Sequence, residues 1–282
     1  MAGTLFVCST PIGNMGDITL RVLETLKEAD LIAAEDTRTT QKLLNHYNIS
    51  TPCTSYHRHN EQSKSDFLIT RLLEGGNIAL VSDAGTPGIS DPGFFVIMAA
   101  IEAGINVVPV PGASACIAAL VVSGLHGERF VFEGFLPRHK KQRRELLEIL
   151  KNESRTMVLY EAPHRLIETL EDMLHALGDR KMALVRELTK KFEEIKRGTI
   201  SQLLEELEKQ EVRGEFVLVV EGSETPESAE GSQEWKYLSV RQHVKALIGE
   251  GMPKKEAVKL VAELRGLPRR DVYNHIEQGS ET

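Results

Sequence analysis

Short apolar runs alternate along the chain with stretches whose apolar residues recur at helical spacing. Residues 4–8 form a compact apolar run, whereas residues 18–29 place apolar side chains three and four positions apart. Such runs predict buried strands, and the wider spacing predicts amphipathic helices. The alternation therefore predicts a mostly parallel sheet with helices on both faces. The other elements predicted here are strands at residues 31–34, 77–81 and 106–110, and helices at residues 37–47, 66–73 and 92–103.

A second series of strands and helices begins near Ala115. Its connections are short enough to permit antiparallel pairs, so the sequence predicts a second α/β domain with mixed strand directions. The predicted strands are residues 130–133, 156–160, 181–186, 194–199 and 216–221, with helices at residues 166–177 and 201–209.

The end of the chain has a different composition. Residues 222–234 hold four Glu, no Lys or Arg and almost nothing apolar, which is typical of a linker. Three short helical patterns separated by glycine turns follow, and they predict a helix-turn-helix-like bundle. The predicted domains are residues 1–114 and 115–221, then the linker 222–234 and the helical segment 235–282, with helices at 240–248, 254–264 and 268–276.

Composition narrows the class of protein. The 282 residues are 41% hydrophobic and carry 34 Lys plus Arg against 41 Asp plus Glu, a net charge of -7. Three distant cysteines exclude a disulfide framework. The longest apolar run, residues 94–101, is far shorter than the ~18 residues of a membrane helix, and the first residues do not resemble a signal peptide. We therefore expect a cytoplasmic protein without membrane association.

Three loops of small residues follow predicted strands. They are S-T-P-I-G-N at residues 9–14, S-D-A-G-T-P-G-I-S-D-P-G at residues 82–93 and P-G-A-S-A at residues 111–115. In a parallel sheet such loops meet at one edge, where a ligand crevice forms. None is a dinucleotide fingerprint or a P-loop, so binding of nucleotide phosphates is not favoured. The alternative for each is an ordinary turn, and Asp91 before Pro92 fits a helix N-cap.

Charged residues offer further candidates, each with a structural alternative. Glu35, Asp36 and Arg38 end a predicted strand and could act in acid–base chemistry; alternatively, Asp36 caps the next helix and pairs with Arg38. One H-x-H motif at residues 57–59 is too little for a metal site, so no metal is expected. Residues 138–144 hold five Lys or Arg, which fits a phosphate-binding stripe or a solvated helix face.

Several motifs together resemble one family. They are STPIGN with DIT-x-R, EDTR, VSDAGTPGISDPG, PGASA, FEGFLPR and YEAPHR, and they resemble the ribosomal RNA small-subunit methyltransferase I family of the tetrapyrrole-methylase-like superfamily. The resemblance covers about residues 3–221, and the terminal helices resemble the family's helix-turn-helix segment. It implies an α/β, two-domain tetrapyrrole-methylase-like fold with S-adenosylmethionine between the domains, and a homodimer. The implied reaction methylates the ribose 2′-hydroxyl of a cytidine in the decoding region of 16S rRNA, at position 1402, and leaves S-adenosylhomocysteine.

The resemblance also implies site residues. Relatives carry G-x-G-P-G-D where this chain has residues 9–14, so Ile12 takes a cofactor-lining place and Asn14 replaces an acid. Glu35 and Asp36 are candidates for a base or for orienting the substrate, and Arg38 for steering these carboxylates or holding phosphate. The residues assigned to the cofactor are Pro11, Ile12, Asp83, Gly85, Thr86, Gly88, Ser114, Ala115 and Tyr160. Those assigned to RNA in the small ribosomal subunit are Arg138, Lys140, Lys141, Arg143, Arg144 and Arg165.

Two alternatives stay open at this point. One is a methylase of tetrapyrrole or corrin rings, since fold alone does not fix the substrate. Its weakness is that a ring needs neither the basic run nor the basic terminal segment, which has nine Lys or Arg against six Asp or Glu. The other is a non-catalytic RNA-binding protein on a methylase scaffold. Every loop expected at the crevice is present, which argues against that alternative.

Overall fold

The amino-terminal sheet is parallel and has helices on both faces. Its strands are β1 (Thr4–Cys8), β2 (Leu31–Ala34), β3 (Cys53–Ser55), β4 (Ile78–Val81) and β5 (Asn106–Val110); its helices are α1 (Leu20–Glu28), α2 (Thr37–His46), α3 (Glu61–Leu73) and α4 (Phe94–Glu102). The computed structural model describes residues 1–209, 211–223, 238–249 and 251–277, and orders these strands β3-β2-β4-β1-β5. Alternate strand residues face opposite helix layers: Leu80 packs with α3 and α4, and Val81 with α1 and α2. The predicted sheet is confirmed.

Three details of this half differ from the predictions. Strand β3 has only three residues, and its sequence C-T-S contains no apolar run that would reveal it. Helix α3 begins at Glu61 and not at the predicted residue 66. The prediction missed the first turn because that turn is polar and carries no periodic apolar signal. Helix α4 begins at Phe94 with Gly93 as its N-cap, so the proposed cap at Asp91 is wrong.

The second sheet mixes parallel and antiparallel strands, as predicted. Its strands are β6 (Phe130–Phe135), β7 (Thr156–Glu161), β8 (Lys181–Arg186), β9 (Glu194–Thr199) and β10 (Phe216–Val220), and the helices around it are α5 (Ala115–Ser123), α6 (Lys140–Leu150), α7 (Leu166–Leu177) and α8 (Ile200–Leu207). The order is β6-β7-β10-β8-β9, in which β6 and β7 are parallel and the other neighbours antiparallel. Helix α5 covers one face and helices α6 to α8 the other.

The carboxy-terminal helices form a small unit of their own. Helices α9 (Val240–Gly249), α10 (Lys254–Arg265) and α11 (Arg269–Glu277) enclose a core that includes Val244, Val261 and Val272. The chain divides into Met1–Ser223 and Glu224–Thr282. From residue 224 onward the predicted linker lies outside the described residues. Among the described helices, none has the length and apolarity to cross a membrane.

Candidate active site

The loops after β1 and β4 are joined by hydrogen bonds. The Thr10 N–H donates to the Gly85 carbonyl oxygen at 2.8 Å, and the Gly85 N–H donates to the Thr10 carbonyl oxygen at 3.2 Å. The hydroxyls of Ser9 and Thr86 lie 2.8 Å apart. Gly85 makes this geometry possible because its φ of +78° is one that other residues rarely adopt. The two loops therefore continue the sheet beyond its strand ends.

The loop after β5 packs directly against the end of β1. A Cβ on Gly112 would lie 3.0 Å from Ser9 Cβ and 3.1 Å from the Ser9 carbonyl oxygen. The Ser9 N–H also donates to the Val110 carbonyl oxygen at 3.1 Å. The predicted meeting of the three loops at one sheet edge is confirmed.

Glu35 and Asp83 form a carboxylate pair at the same edge. The Asp83 N–H donates to Glu35 Oε2 at 3.4 Å, and the Asp36 N–H donates to Asp83 Oδ1 at 3.1 Å. Burial is the main cause that raises the pKa of both Glu35 and Asp83. Their side chains thus brace the ends of β2 and β4 against one another.

Asp36 and Arg38 form an exposed pair. The Asp36 carboxylate caps α2 by accepting the Arg38 N–H at 2.8 Å, and it also accepts the Arg38 guanidinium at 2.7 and 3.1 Å. The Arg38 hydrogen bond lowers the pKa of Asp36 to about 2. This geometry is the capping alternative, and such a carboxylate is a weak base at neutral pH.

Asp91 lies in the loop after β4 and does not cap α4. Burial, followed by the charge of Glu35, raises the pKa of the Asp91 carboxyl to about 6. The sequence offered one signal for it, a second aspartate in the loop at residues 82–93. Its position before Pro92 favours a helix cap in the sequence, which hides that signal.

His57 and His59 lie near this edge with ring centroids 6.0 Å apart. The buried Nδ1 of His57 has no hydrogen-bond partner among the described residues. Within those same ranges no group of three or more His, Cys, Asp or Glu could hold a metal ion.

Tyr160 brings the second sheet to this site. Its ring packs edge-on against Phe132 and Phe135, with centroids 5.0 and 5.5 Å away. Tyr160 and Ala115 pack against the same apolar cluster, which contains Cys116, and Ser114 directly precedes Ala115. Burial is the main cause that raises the pKa of Tyr160 to about 12. Three residues that the resemblance assigns to the cofactor therefore lie together.

A cavity of about 300 Å³ opens beside the loop after β1. A Cβ on Gly13 would lie 2.6 Å from Lys190 Cγ, so the segment after β8 contacts that loop directly. Lys190 Nζ is held 2.9 Å from Glu215 Oε2, and neither residue was predicted to be part of the site. The cavity is lined by Thr10, Pro11, Ile12, Gly13, Met15, Thr39, Thr40, Leu43, Ser82, Asp83, Ala84, Lys190 and Glu215.

The basic run contains one residue that cannot contact RNA in this conformation. The Arg143 side chain is 1% exposed, and its Nη2 lies 2.7 Å from Asp172 Oδ2 and 2.8 Å from Glu168 Oε1. Arg144 Nε also reaches Asp172, at 2.7 Å, while its side chain stays half exposed. The phosphate-binding assignment of Arg143 is therefore corrected: it is a buried ion-pair residue.

Arg165 is likewise held inside the protein. Its Nη2 donates to the Leu136 and Pro137 carbonyl oxygens at 2.9 and 3.1 Å, and its Nε lies 3.5 Å from Glu161 Oε1. The side chain is only 12% exposed. Its role here is to anchor the end of β6, and little of its charge is accessible to RNA. The residues of the assigned RNA surface that remain open to solvent are Arg138, Lys140, Lys141 and the exposed half of Arg144.

Comparisons with known proteins agree with this arrangement. The chain is 52% identical over 277 residues to "Ribosomal RNA small subunit methyltransferase I" of Halalkalibacterium halodurans, covering 98% of this chain and 95% of the relative. The Bacillus subtilis protein of that name is 50% identical over 278 residues, with the same coverage. The solved methyltransferase CobJ shares the fold, with a TM-score of 0.60 at 18% identity over 79% of this chain and 95% of its own.

Family models match both units. The model described as Tetrapyrrole (Corrin/Porphyrin) Methylases matches residues 4–204, which include the three loops and Tyr160. The model described as RsmI C-terminal HTH domain matches residues 239–276, the range of α9 to α11. Near-complete coverage at about half identity and both matches lead to one conclusion: the chain belongs to the ribosomal RNA small subunit methyltransferase I family, on the tetrapyrrole methylase fold.

Proposed function

We propose that this protein transfers a methyl group from S-adenosylmethionine to the ribose 2′-hydroxyl of a cytidine in the decoding region of 16S rRNA, at position 1402. The observation that carries the proposal is the meeting of three strand-end loops with Tyr160 at one edge, in a chain half identical to relatives named for small-subunit rRNA. The substrate places the enzyme in the cytoplasm.

The residues at this edge fit a sulfonium cofactor. Gly85 and Gly88 have φ values of +78° and +83°, so the loop after β4 turns tightly there and has no side chain that would keep a ligand from its backbone. The carboxylates of Glu35 and Asp83 supply negative charge for a cation. Gly85, Gly88 and Asp83 would hold the methionine part, with Pro11, Ile12 and Thr86 beside them; Ser114, Ala115 and Tyr160 would cover the adenosine.

The bound cofactor supplies an activated methyl group on a positively charged sulfur. The chain's own task is to fix the acceptor oxygen in line with that methyl group and to take up the hydroxyl proton. Orientation alone could lower the barrier by about 7–11 kcal/mol, and a positioned base would add about 10²–10⁴-fold in rate. A carboxylate at the sheet edge is suited to the second role.

Exposed basic residues support RNA as the partner. Arg138, Lys140 and Lys141 lie at the start of α6, and the Lys141 side chain is 89% exposed. Their positive charge can neutralise phosphates. The carboxy-terminal unit adds exposed Lys254, Lys255 and Arg270.

A homodimer is part of the proposal. Helix α4 exposes Phe94, Phe95, Met98 and Ile101 along one side, where their exposed fractions are 38–62%. A contiguous apolar surface on a water-soluble enzyme commonly marks a contact with another protein. The family resemblance implies a homodimer, so we assign this face to a second copy of the chain.

The test is incubation of the protein and labelled S-adenosylmethionine with undermethylated 30S subunits, free 16S rRNA and a uroporphyrinogen-type ring. We expect label in the RNA, and nucleoside mass spectrometry should locate it on a cytidine ribose. Label in the ring alone would overturn the proposal in favour of the ring methylase. Cofactor binding in calorimetry without any transfer would favour the non-catalytic scaffold.

A further inference from the structure

The cavity beside the loop after β1 adjoins the cofactor residues without being their crevice. Pro11, Ile12 and Asp83 line the cavity and are also assigned to the cofactor. The described residues that line the cavity do not include the others assigned to the cofactor, which are Gly85, Thr86, Gly88, Ser114, Ala115 and Tyr160. The two sites therefore share one wall, and a methyl acceptor has to lie beside its donor in this way.

The size and lining of the cavity suit one flat base. Its volume of about 300 Å³ is at the lower end of the range for ligand pockets, about 300–1,000 Å³, which favours a nucleoside over a much larger tetrapyrrole ring. Ile12, Met15 and Leu43 supply apolar side chains, and Lys190 and Glu215 supply charge. Proteins that read unpaired RNA commonly bind a splayed-out base and hydrogen-bond its Watson–Crick edge.

The charged part of the lining comes from the segment between β8 and β9 and from the residue before β10. Lys190 Nζ lies 2.9 Å from Glu215 Oε2 and 3.2 Å from Glu187 Oε1. Glu187 Oε1 also accepts the Glu215 N–H at 3.1 Å, and the Glu187 N–H donates to the Glu215 carbonyl oxygen at 3.1 Å. Glu187 thereby fixes Lys190 and Glu215 relative to each other.

The segment that carries Lys190 has a strained backbone. Glu187 and Thr189 have φ values of +50° and +64°, an uncommon conformation for residues with side chains. Thr189 Oγ1 is buried without a hydrogen-bond partner among the described residues, and a Cβ on Gly13 would lie 3.0 Å from it. Strain of this kind persists where the surrounding contacts enforce it, and it clusters at active sites. Here it accompanies the packing of Lys190 against the loop after β1.

The ion pair offers a ligand one donor and one acceptor. An ammonium group has three N–H donors, and the two carboxylates that contact Lys190 within the described residues use two of them. The Glu215 side chain is 82% exposed, so its carboxylate keeps acceptor positions for a ligand. The Watson–Crick edge of cytosine matches this combination, because its N3 accepts a hydrogen bond and its N4 amino group donates to carboxylates.

Resting on the proposed function, we infer that this cavity receives the base of the target cytidine and that Lys190 and Glu215 select cytosine over uracil. Lys190 Nζ donates to N3 of the base, and the Glu215 carboxylate accepts from the N4 amino group. Uracil has the opposite polarity at both positions, because its N3–H donates and its O4 accepts. The apolar part of the lining contacts either base equally, so the selection depends on the ion pair.

The test measures base selection with 30S subunits reconstituted on transcribed 16S rRNA that carries cytidine or uridine at position 1402. We expect wild-type protein to methylate the cytidine substrate with a kcat/KM about 5- to 150-fold above that for uridine. Glu215→Gln should lower this ratio by about fivefold or more, because an amide donates to O4 of uracil as readily as it accepts from N4 of cytosine. Lys190→Gln should also lower the ratio, since its amide oxygen accepts the N3–H of uracil.

The matched controls are Glu211→Gln and Arg213→Gln. They break an exposed ion pair of 2.7 Å shortly before β10, and neither residue is among the described residues that line the cavity. Both variants should keep the wild-type ratio. Melting temperature and cofactor affinity in calorimetry should match wild type in all four variants, which excludes misfolding as the cause of a changed ratio.

The ratio separates base selection from a purely structural role of the ion pair. If Lys190 and Glu215 only tied the β8–β9 segment to β10, their variants would lose rate equally with both bases, and that result would overturn the inference. Equal methylation of cytidine and uridine by wild type would overturn it as well, while the proposed methyl transfer to RNA stood. Wild-type protein that binds cofactor but labels neither RNA would overturn both.

Discussion

Two aspartates at one sheet edge show how strongly surroundings decide chemistry. Asp36 is exposed beside Arg38, which lowers its pKa to about 2. Asp91 is partly buried among other carboxylates, and its pKa rises to about 6. The sequence distinguishes them poorly because both precede helices and both fit the pattern of a cap. Only the three-dimensional neighbours separate the capping residue from the acid with the raised pKa.

At the residue scale, Gly93 gives a prediction about stability. Its φ is +146°, and a Cβ there would lie 2.9 Å from the Gly88 backbone nitrogen. Gly104 also has a positive φ, +70°, but nothing lies within 4 Å of its added Cβ. We expect Gly104→Ala to cost about 1 kcal/mol and Gly93→Ala about 2–4 kcal/mol, measured by urea unfolding. Equal losses would show that conformation alone, and not the contact with Gly88, sets the cost.

At the element scale, α6 has a charged residue on its buried side. Leu147 and Leu150 are buried, and Arg143 lies four and seven positions before them on the same helical face. This spacing was visible in the sequence, but the density of charge in residues 138–144 obscured it. The Asp172 carboxylate on α7 makes the burial possible by accepting both Arg143 and Arg144.

The buried pair between α6 and α7 predicts a loss of stability on Asp172→Asn. Removing one partner leaves the Arg143 guanidinium with incomplete compensation, which costs about 3 kcal/mol. The matched change Glu168→Gln affects a half-exposed carboxylate and should cost below about 1 kcal/mol. Chemical denaturation of both variants measures the difference, and similar midpoints would contradict it.

The same pair sets a pH dependence. Burial raises the pKa of Asp172, but the hydrogen bonds from Arg144 and Arg143 outweigh burial, so the pKa lies below its ordinary value. Its contribution is therefore present above about pH 4 and is lost as the pH falls through the folded-state pKa. The free energy of unfolding of Asp172→Asn should therefore change less with pH in that range than that of wild type, as measured by urea unfolding at several pH values.

The exposed side of α6 predicts the salt dependence of RNA binding. Lys140→Gln with Lys141→Gln should weaken binding, and the slope of log affinity against log salt should fall by about 0.7–0.9 for each lost phosphate contact. Lys27→Gln with Lys209→Gln removes the same charge from exposed sites elsewhere and serves as the control. Equal slopes for the two double variants would show that Lys140 and Lys141 do not contact RNA phosphates.

Sequence patterns predicted the elements better than the site. Strands such as β1, β5 and β8 were predicted to the residue because each contains a short apolar run that lacks helical spacing. The crevice loops were also predicted, since small residues after parallel strands indicate one edge. The packing of the β8–β9 segment on Gly13 was not, because contacts between residues so far apart leave no local pattern.

At the scale of the whole molecule, the apolar side of α4 predicts self-association. We expect sedimentation equilibrium to show a dimer at micromolar concentration and Phe95→Glu to shift it toward monomer. Phe95 is 53% exposed, so the substitution should leave the melting temperature of the monomer nearly unchanged. Ile149→Glu, on the 75% exposed residue of α6, is the matched control and should stay dimeric. A monomeric wild type would reject this use of the face.

The reciprocal hydrogen bonds between Thr10 and Gly85 also have a kinetic consequence. Two amide protons that would otherwise belong to loose connecting segments are shielded like those inside a sheet. Opening that pair separates two strand ends at once, so exchange of these protons with solvent deuterium should require a cooperative fluctuation of the edge. The two loops would then be ordered before a ligand binds. Binding would therefore not lose free energy to ordering them.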